Sequence, residues 1–162
     1  MRRYAVAFTG VSNSGKTTLI EKIAKKLIKT KKIAIIKHDP KDKAIFDIEG
    51  KDSFKFFQTG AEVIVTSPKR TTYFSHRQRE LDKLIELFGE FDLLMVEGLK
   101  TTPLPRIAIF RDSIDSGYFK YCNAIAVDSS IDKNQLPKDI DILDLNNIDM
   151  IIEWIEKNAK EI

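Results

Sequence analysis

Cysteine is almost absent from this 162-residue chain, in which Cys122 stands alone. A single cysteine forms neither an internal disulfide nor a cysteine metal cluster, which excludes a disulfide-stapled scaffold and a zinc-ribbon protein. Because Cys122 precedes the apolar run NAIAV, we expect it to be a buried structural thiol. Histidine is nearly as scarce, and His38 and His76 with one cysteine make a poor transition-metal site.

Long hydrophobic runs are missing as well. The longest apolar stretches have about the length of a strand, whereas a membrane helix needs roughly 20 apolar residues. The run YAVAFT (4–9) is too short for the core of a signal peptide and leads into a glycine-rich segment, so we interpret it as a strand. We therefore expect a cytoplasmic protein without membrane contact, folded as a single domain over residues 1–162.

The net charge of +3 is small but unevenly distributed. Residues 1–40 hold ten Lys and Arg against two acids, whereas residues 123–162 hold four Lys against nine acids. A basic segment suits nucleotide phosphates, another anionic ligand or nucleic acid. Nucleic acid is not favoured, because no aromatic residues are interleaved with the lysines on the solvent face of a predicted helix, Lys22, Lys25, Lys26 and Lys29.

Alternating apolar patterns predict an α/β fold. A strand at 4–9, a helix at 17–29 and a strand at 31–38 make a β-α-β unit whose strands should be parallel. Further helices are predicted near 53–60, 78–89 and 148–159, and further strands at 62–67, 71–76, 91–98, 106–110, 123–128 and 140–145. This order is typical of a three-layer domain with a mostly parallel sheet.

The segment GVSNSGKT (10–17) has the glycine and lysine spacing of a phosphate-binding loop between a strand and a helix, the P-loop. Gly10 and Gly15 allow a tight turn whose N–H groups form an anion nest at the helix N-terminus. Lys16 is expected to reach the β- and γ-phosphates, and the Thr17 hydroxyl to bind Mg²⁺. The expected nucleotide contacts are Gly10, Ser12, Asn13, Ser14, Gly15, Lys16, Thr17 and Thr18.

An acidic partner for this loop is expected at the end of a neighbouring parallel strand. The apolar strand FDLLMVEG (91–98) ends in Glu97, which we predict to hold Mg²⁺ or its bound water and to act with Lys16 in catalysis. Gly98 is expected to keep its N–H free for a γ-phosphate. The alternative for Glu97, an exposed strand-end acid without a role, is less favoured beside a phosphate loop.

Charged residues also follow other predicted strands. KHD (37–39) lies where open α/β sheets bind ligands, so we expect Asp39 to meet Mg²⁺ and Lys37 and His38 to meet an anionic ligand. For His38, a surface histidine without a role is an equal alternative. Lys100 and Arg106 flank a proline-stiffened loop and suggest a second anionic ligand, although simple surface charge is the preferred reading of these two alone.

Together these segments resemble the MobB family of molybdopterin-guanine dinucleotide biosynthesis proteins. The resemblance covers residues 4 to about 130 and is carried, in order, by GVSNSGKTTL, IIKHD, GKDS, TGA, FDLLMVEGLK and PRIAIFR. GKDS followed by TGA and VEGLK is more specific than the phosphate loop. By position, the family's strand-end acids fall on Asp39 and Glu97, and its Gly-Lys-Asp-Ser segment falls on Gly50–Ser53.

The resemblance implies a GTP-binding protein with weak Mg²⁺-dependent GTPase activity, often a homodimer. It also implies that the protein assists a MobA-type guanylyltransferase in making molybdopterin guanine dinucleotide, and it leaves direct contact with molybdopterin open. The chain has no Asn-Lys-x-Asp guanine motif. We therefore expect Asp128, after the strand NAIAV, to accept hydrogen bonds from guanine N1–H and N2–H₂.

Two other functions use the same loop. A small-molecule kinase of this fold carries an arginine-rich lid, whereas the cluster here, Arg70, Arg77 and Arg79, lies in a predicted strand and the start of a helix. A pure binding module would use the nucleotide as a conformational clamp. The sequence presents no arginine finger, so slow intrinsic hydrolysis is expected.

Overall fold

The computed structural model describes residues 2–162, which divide into two compact units. One unit holds the chain up to His38 together with Phe88–Ile162, and the other is Asp39–Leu87. The strands are β1 (Tyr4–Thr9), β2 (Ile33–Lys37), β3 (Val63–Ser67), β4 (Arg70–Phe74), β5 (Leu93–Glu97), β6 (Arg106–Phe110), β7 (Ala124–Val127), β8 (Asp141–Asp144) and β9 (Lys160–Glu161). The helices are α1 (Lys16–Leu27), α2 (Asp52–Gln58), α3 (Leu81–Ile85) and α4 (Ile148–Asn158). The single domain over residues 1–162 stays a prediction.

The first unit is built on a seven-stranded sheet with the strand order β2-β5-β1-β6-β7-β8. These six strands are parallel, and β9 pairs antiparallel with the start of β1. Central parallel strands are buried on both faces, which explains the nearly continuous apolar runs of β1, β5, β6 and β7. The α/β class with a mostly parallel sheet is confirmed.

Helices α1 and α4 cover one face of this sheet, because each has an apolar stripe. The stripes contribute Leu19, Ile20, Ile23 and Leu27 from α1 and Ile151, Ile152, Trp154 and Ile155 from α4. The lysines on the opposite side of α1 are exposed, as expected.

On the other face of the sheet, Cys122 packs with Phe110 and Ile125, and burial raises the pKa of its thiol to about 11. Cys122 is therefore the buried structural thiol that the sequence predicts.

The register of the strands decides which residues meet at their carboxyl ends. Glu97 of β5 pairs with Phe8 of β1 on one side and with Lys37 of β2 on the other. Phe110 of β6 pairs with Val127 of β7, so Arg111 and Asp128 leave the sheet on neighbouring strands. One edge of the sheet therefore gathers charged residues that are far apart in the chain.

The second unit contains α2, the antiparallel hairpin β3–β4 and α3. Helix α2 begins at Asp52, and the Ser53 hydroxyl in its first turn donates to Asp47 Oδ1 at 3.1 Å. Helix α3 is shorter than the predicted helix at 78–89, because the chain before Leu81 stays extended while Arg79 donates to the Tyr73 hydroxyl.

Three short elements of the first unit are not predicted from the sequence. They are β9 and the 3₁₀ segments Ser116–Tyr121 and Lys133–Gln135. Each is too short to give a periodic pattern. None of the helices within residues 2–162 has the length and apolar character that a membrane crossing requires.

Candidate phosphate-binding site

The loop between β1 and α1 has a glycine at each end, and the backbone conformation at both positions favours glycine. Gly10 has a φ of 140°, and a β-carbon there would lie 2.5 Å from the Ile109 carbonyl oxygen. Gly15 has a φ of 94° directly before α1. Side-chain-bearing residues rarely adopt such backbone angles. The loop can therefore close tightly against β6 and place Lys16 in the first turn of the helix.

A cavity of about 480 Å³ opens at this loop. The loop and the first turn of α1 contribute six lining residues, Ser12, Asn13, Gly15, Lys16, Thr17 and Thr18. The other three, Lys37, Glu97 and Arg111, lie at or just beyond the carboxyl ends of β2, β5 and β6. The fold thus brings Lys37 and Glu97 to the phosphate loop, as the sequence predicts.

The Lys16 ammonium group folds back onto its own loop. Its Nζ donates to the carbonyl oxygens of Gly10 at 3.0 Å and Val11 at 2.7 Å. Burial lowers the pKa of Lys16, and the nearby Glu97 carboxylate opposes this effect. A phosphate group would add the negative charge that favours the ammonium form at this position.

Two of the predicted loop contacts, Gly10 and Ser14, lie beneath the cavity and do not line it. Ser14 is 2% exposed, and its hydroxyl oxygen has no hydrogen-bond partner within residues 2–162. That oxygen lies 3.1 Å from the position that a Gly10 β-carbon would take. These two residues shape the loop, and any contact they make with a ligand would come through the backbone.

Glu97 is the one acid that lines the cavity. Its side chain is 13% exposed, and Oε2 lies 3.9 Å from Lys37 Nζ. Glu97 shares the cavity with the Thr17 hydroxyl, and oxygen atoms of this kind are the ligands that Mg²⁺ prefers. Mg²⁺ is commonly held by one or two carboxylates plus phosphate oxygens, so the Glu97 carboxylate and the Thr17 hydroxyl beside three cations fit a Mg²⁺-polyphosphate.

The prediction that Gly98 keeps a free N–H is wrong. This N–H donates to the Phe8 carbonyl oxygen at 2.9 Å and so extends the β5–β1 ladder by one residue. Gly98 has a φ of 90°, and a β-carbon there would lie 3.1 Å from the His38 β-carbon. The glycine therefore allows the strand to turn beside His38.

His38 and Asp39 are engaged with the backbone around them. The His38 N–H donates to the Glu97 carbonyl oxygen at 3.0 Å, and His38 does not line the cavity. Asp39 begins the second unit, where Oδ2 accepts the N–H groups of Lys43 and Ala44, each at 2.7 Å. The Asp39 carboxylate thus shapes a local turn, and its role toward Mg²⁺ stays a prediction.

Lys100 lies away from the loop cavity. It lines a second cavity of about 600 Å³ with Lys120 and Lys160, and its Nζ lies 5.6 Å from the centre of the Tyr121 ring. Lys100 therefore does not contribute to the loop cavity, and its contact with a second anionic ligand stays a prediction.

Arg106 is fully buried and forms hydrogen bonds within the protein. Its guanidinium donates to the carbonyl oxygens of Gly98 at 2.7 Å and Leu99 at 2.8 Å, and to the Thr102 hydroxyl at 2.9 Å. The suggestion that it meets a second anionic ligand is wrong. Arg106 instead fixes the loop that follows Glu97.

Arg111 is the site residue that sequence reasoning missed. It follows β6, and its Nε donates to Asp128 Oδ2 at 2.8 Å. The available signal was a cation directly after the apolar strand RIAIF, at the carboxyl end where ligands bind. Asp128 does not line the cavity and also accepts from the Ser130 hydroxyl and N–H.

A glycine loop between the first strand and first helix of a parallel sheet, beside a strand that ends in an acid, defines a P-loop NTPase domain. The family model "MobB: Molybdopterin guanine dinucleotide synthesis protein B" matches residues 5–130. The chain therefore belongs to the MobB family, and the resemblance found in the sequence is confirmed.

A relative supports this assignment, and solved structures share the fold. A molybdopterin-guanine dinucleotide biosynthesis adapter protein of Haemophilus influenzae is 33% identical over 93% of this chain and 86% of its own length. The crystal structure of Bacillus subtilis MobB is 24% identical, covers 97% of this chain and 98% of its own, and has a TM-score of 0.76. Hydrogenase maturation factor HypB of Archaeoglobus fulgidus shares the fold more distantly, at 18% identity and a TM-score of 0.50, covering 94% of this chain and 86% of its own.

Proposed function

We propose that this protein is a GTP-binding adapter of molybdenum cofactor biosynthesis, which assists the conversion of molybdopterin to molybdopterin guanine dinucleotide. The observation that carries the nucleotide part is the cavity in which the glycine loop, Lys16, Thr17 and Glu97 meet. Family membership and the adapter name of a relative support the biosynthetic part. The choice of GTP over ATP rests on the resemblance to the family.

Each residue of the cavity has a distinct role in this proposal. The N–H groups of the loop bind the phosphates, and Lys16 neutralises charge on the β- and γ-phosphates. Thr17 and Glu97 would hold Mg²⁺, and bound Mg²⁺ would supply charge neutralisation to the phosphate chain. Glu97 orients water for a slow hydrolysis, and Lys37 adds positive charge at the same edge.

The partners follow from the family and not from the cavity. We propose a MobA-type guanylyltransferase as the protein partner, a homodimeric state and a cytoplasmic location, and we leave direct binding of molybdopterin as an open alternative. Large exposed apolar side chains in the second unit support a homodimer: Ile45, Phe46, Ile48, Phe56, Ile64 and Val65.

Calorimetric titration of the purified protein with GTP, ATP and their diphosphates, with and without Mg²⁺, tests the nucleotide part. Lys16→Ala should weaken GTP binding at least roughly 10- to 100-fold, because a charge-assisted contact is lost. Glu97→Gln should retain GTP binding and slow its hydrolysis. Lys22→Ala, which removes an exposed lysine of α1, is the matched control. Unchanged binding by the Lys16 variant would refute the site.

The alternatives are separated by turnover. A small-molecule kinase, which family membership does not favour, would transfer phosphate rapidly to an acceptor. A conformational clamp would bind tightly without hydrolysis. Slow release of GDP and phosphate is the result that the proposed adapter predicts.

A further inference from the structure

Arg111 lies flat against the start of α1. Its guanidinium carbon and both Nη nitrogens are 3.7–3.8 Å from the position that a Gly15 β-carbon would take. Three nearly equal distances mean that the plane of the guanidinium faces the Gly15 backbone. A β-carbon at position 15 would be in ordinary van der Waals contact with the guanidinium, which places Arg111 beside the start of α1.

Both Nη groups of Arg111 are available to a ligand. Within residues 2–162 only Nε is hydrogen-bonded, to Asp128, and the side chain is 42% exposed in the cavity wall. A guanidinium presents paired donors that match the oxygens of a phosphate group. Arg111 therefore offers two free donors beside the loop where a phosphate chain would bind.

Asp128 is arranged to hold this arginine. Oδ2 accepts from Arg111 Nε, and Oδ1 accepts from the N–H and the hydroxyl of Ser130. The Ser130 hydroxyl bond, above all, lowers the pKa of Asp128, and Arg111 adds to this effect. Asp128 is thus ionised at neutral pH, and each of its oxygens accepts a hydrogen bond from within the protein.

We propose that Arg111 binds the phosphate chain of the nucleotide through its Nη groups, and that Asp128 is the positioning residue that orients it. This inference rests on the proposed nucleotide binding at the loop. It assigns to Asp128 a role different from guanine recognition, because its carboxylate is oriented by Arg111 and Ser130 and does not line the cavity.

The two roles of Asp128 predict different losses. A residue that orients a phosphate-binding arginine affects every ligand with a phosphate chain, whatever its base. A residue that reads guanine affects GTP alone. Inorganic tripolyphosphate, which has no base, separates the two roles most cleanly.

The experiment titrates the wild type, Arg111→Ala, Asp128→Ala and the double variant with Mg²⁺-GTP, Mg²⁺-ATP and Mg²⁺-tripolyphosphate. Arg111→Ala should weaken all three ligands by roughly 10- to 100-fold, as expected for charge-assisted hydrogen bonds. Asp128→Ala should weaken all three by a smaller common factor. The double variant should be no weaker than Arg111→Ala, because Asp128 acts through the arginine.

The controls keep the result interpretable. Lys133→Ala and Asp139→Ala remove the same charges from exposed positions on the same unit, and thermal unfolding by circular dichroism verifies that each variant is folded. Arg111→Lys keeps the charge but loses the paired donors, and should recover only part of the binding.

Three results would overturn the proposal. If the wild type binds none of the three ligands, the nucleotide function fails and this inference fails with it. If Lys16→Ala abolishes binding while Arg111→Ala leaves it unchanged, the inference alone fails. If Asp128→Ala weakens GTP but not ATP or tripolyphosphate, Asp128 reads the base, and its positioning role is wrong.

Discussion

The two units of this chain differ in how they bury apolar side chains. In the first unit, β5, β6 and β7 are almost wholly buried, and α1 and α4 each bury four apolar residues against the sheet. In the second unit, α2, α3, β3 and β4 contain no buried residue, and β3 is mostly exposed. Hydrophobic burial is the main stabilising contribution to folding. The phosphate loop is therefore anchored in the firmly packed unit, whereas the second unit lacks a buried core of its own.

Native-state hydrogen exchange gives the largest expected contrast between the two units. Amides of β1 and β5 should exchange at least roughly 1,000-fold more slowly than those of β3 and β4, because buried strands open only in large unfolding events. Mass spectrometry of peptides from each strand, compared with the unfolded chain, measures this ratio. If the amides of β3 and β4 were as well protected from exchange as those of β1 and β5, the two units would not differ in stability.

Arg106→Met should give the next largest effect. The methionine keeps the apolar stem but removes the guanidinium donors from the half-buried oxygens of Gly98, Leu99 and Thr102, of which the Leu99 oxygen keeps the Thr102 N–H. We expect a loss of roughly 3–5 kcal/mol in the free energy of unfolding, measured by urea denaturation. Arg2→Met, at an exposed arginine, is the control and should change stability little. A loss below about 1 kcal/mol for Arg106→Met would contradict the assigned role.

Substitution of one glycine in each unit compares how tightly the two units pack around their backbone. Gly60 has a φ of 91° with open space where a β-carbon would be, so Gly60→Ala should cost only the backbone strain, about 1 kcal/mol. Gly10→Ala adds a clash with the Ile109 carbonyl oxygen and should cost about 2 kcal/mol more. Urea denaturation of the two variants measures the difference, and equal losses would show that the loop can relax.

The phosphate loop and the central strands could be predicted because their signals are local. The strand at 4–9 and the strand at 106–110 are found where the sequence places them, and the glycine spacing identifies the loop before any contact is known. Glu97 could be placed at the site because parallel strands end at one edge of a sheet.

The same reasoning could not predict that Arg111 and Arg106 have different roles. Arg106 begins the short strand RIAIF and Arg111 directly follows it. Arg111 lines the cavity, whereas Arg106 is fully buried. Their different roles depend on contacts with Asp128 and with the Gly98–Thr102 loop, which are formed only when separate strands are paired.

The sequence by itself determined that this chain has a phosphate loop on a parallel α/β sheet, because glycine spacing and apolar periodicity are properties of neighbouring residues. Its resemblance to the MobB proteins came from the order of the motifs GKDS, TGA and VEGLK. Only the tertiary structure decided that Gly98 donates to Phe8, that Asp128 holds Arg111, and that residues 39–87 form a unit of their own. Those outcomes depend on strand register and side-chain partners distant in the chain, and they are fixed when the whole sheet packs.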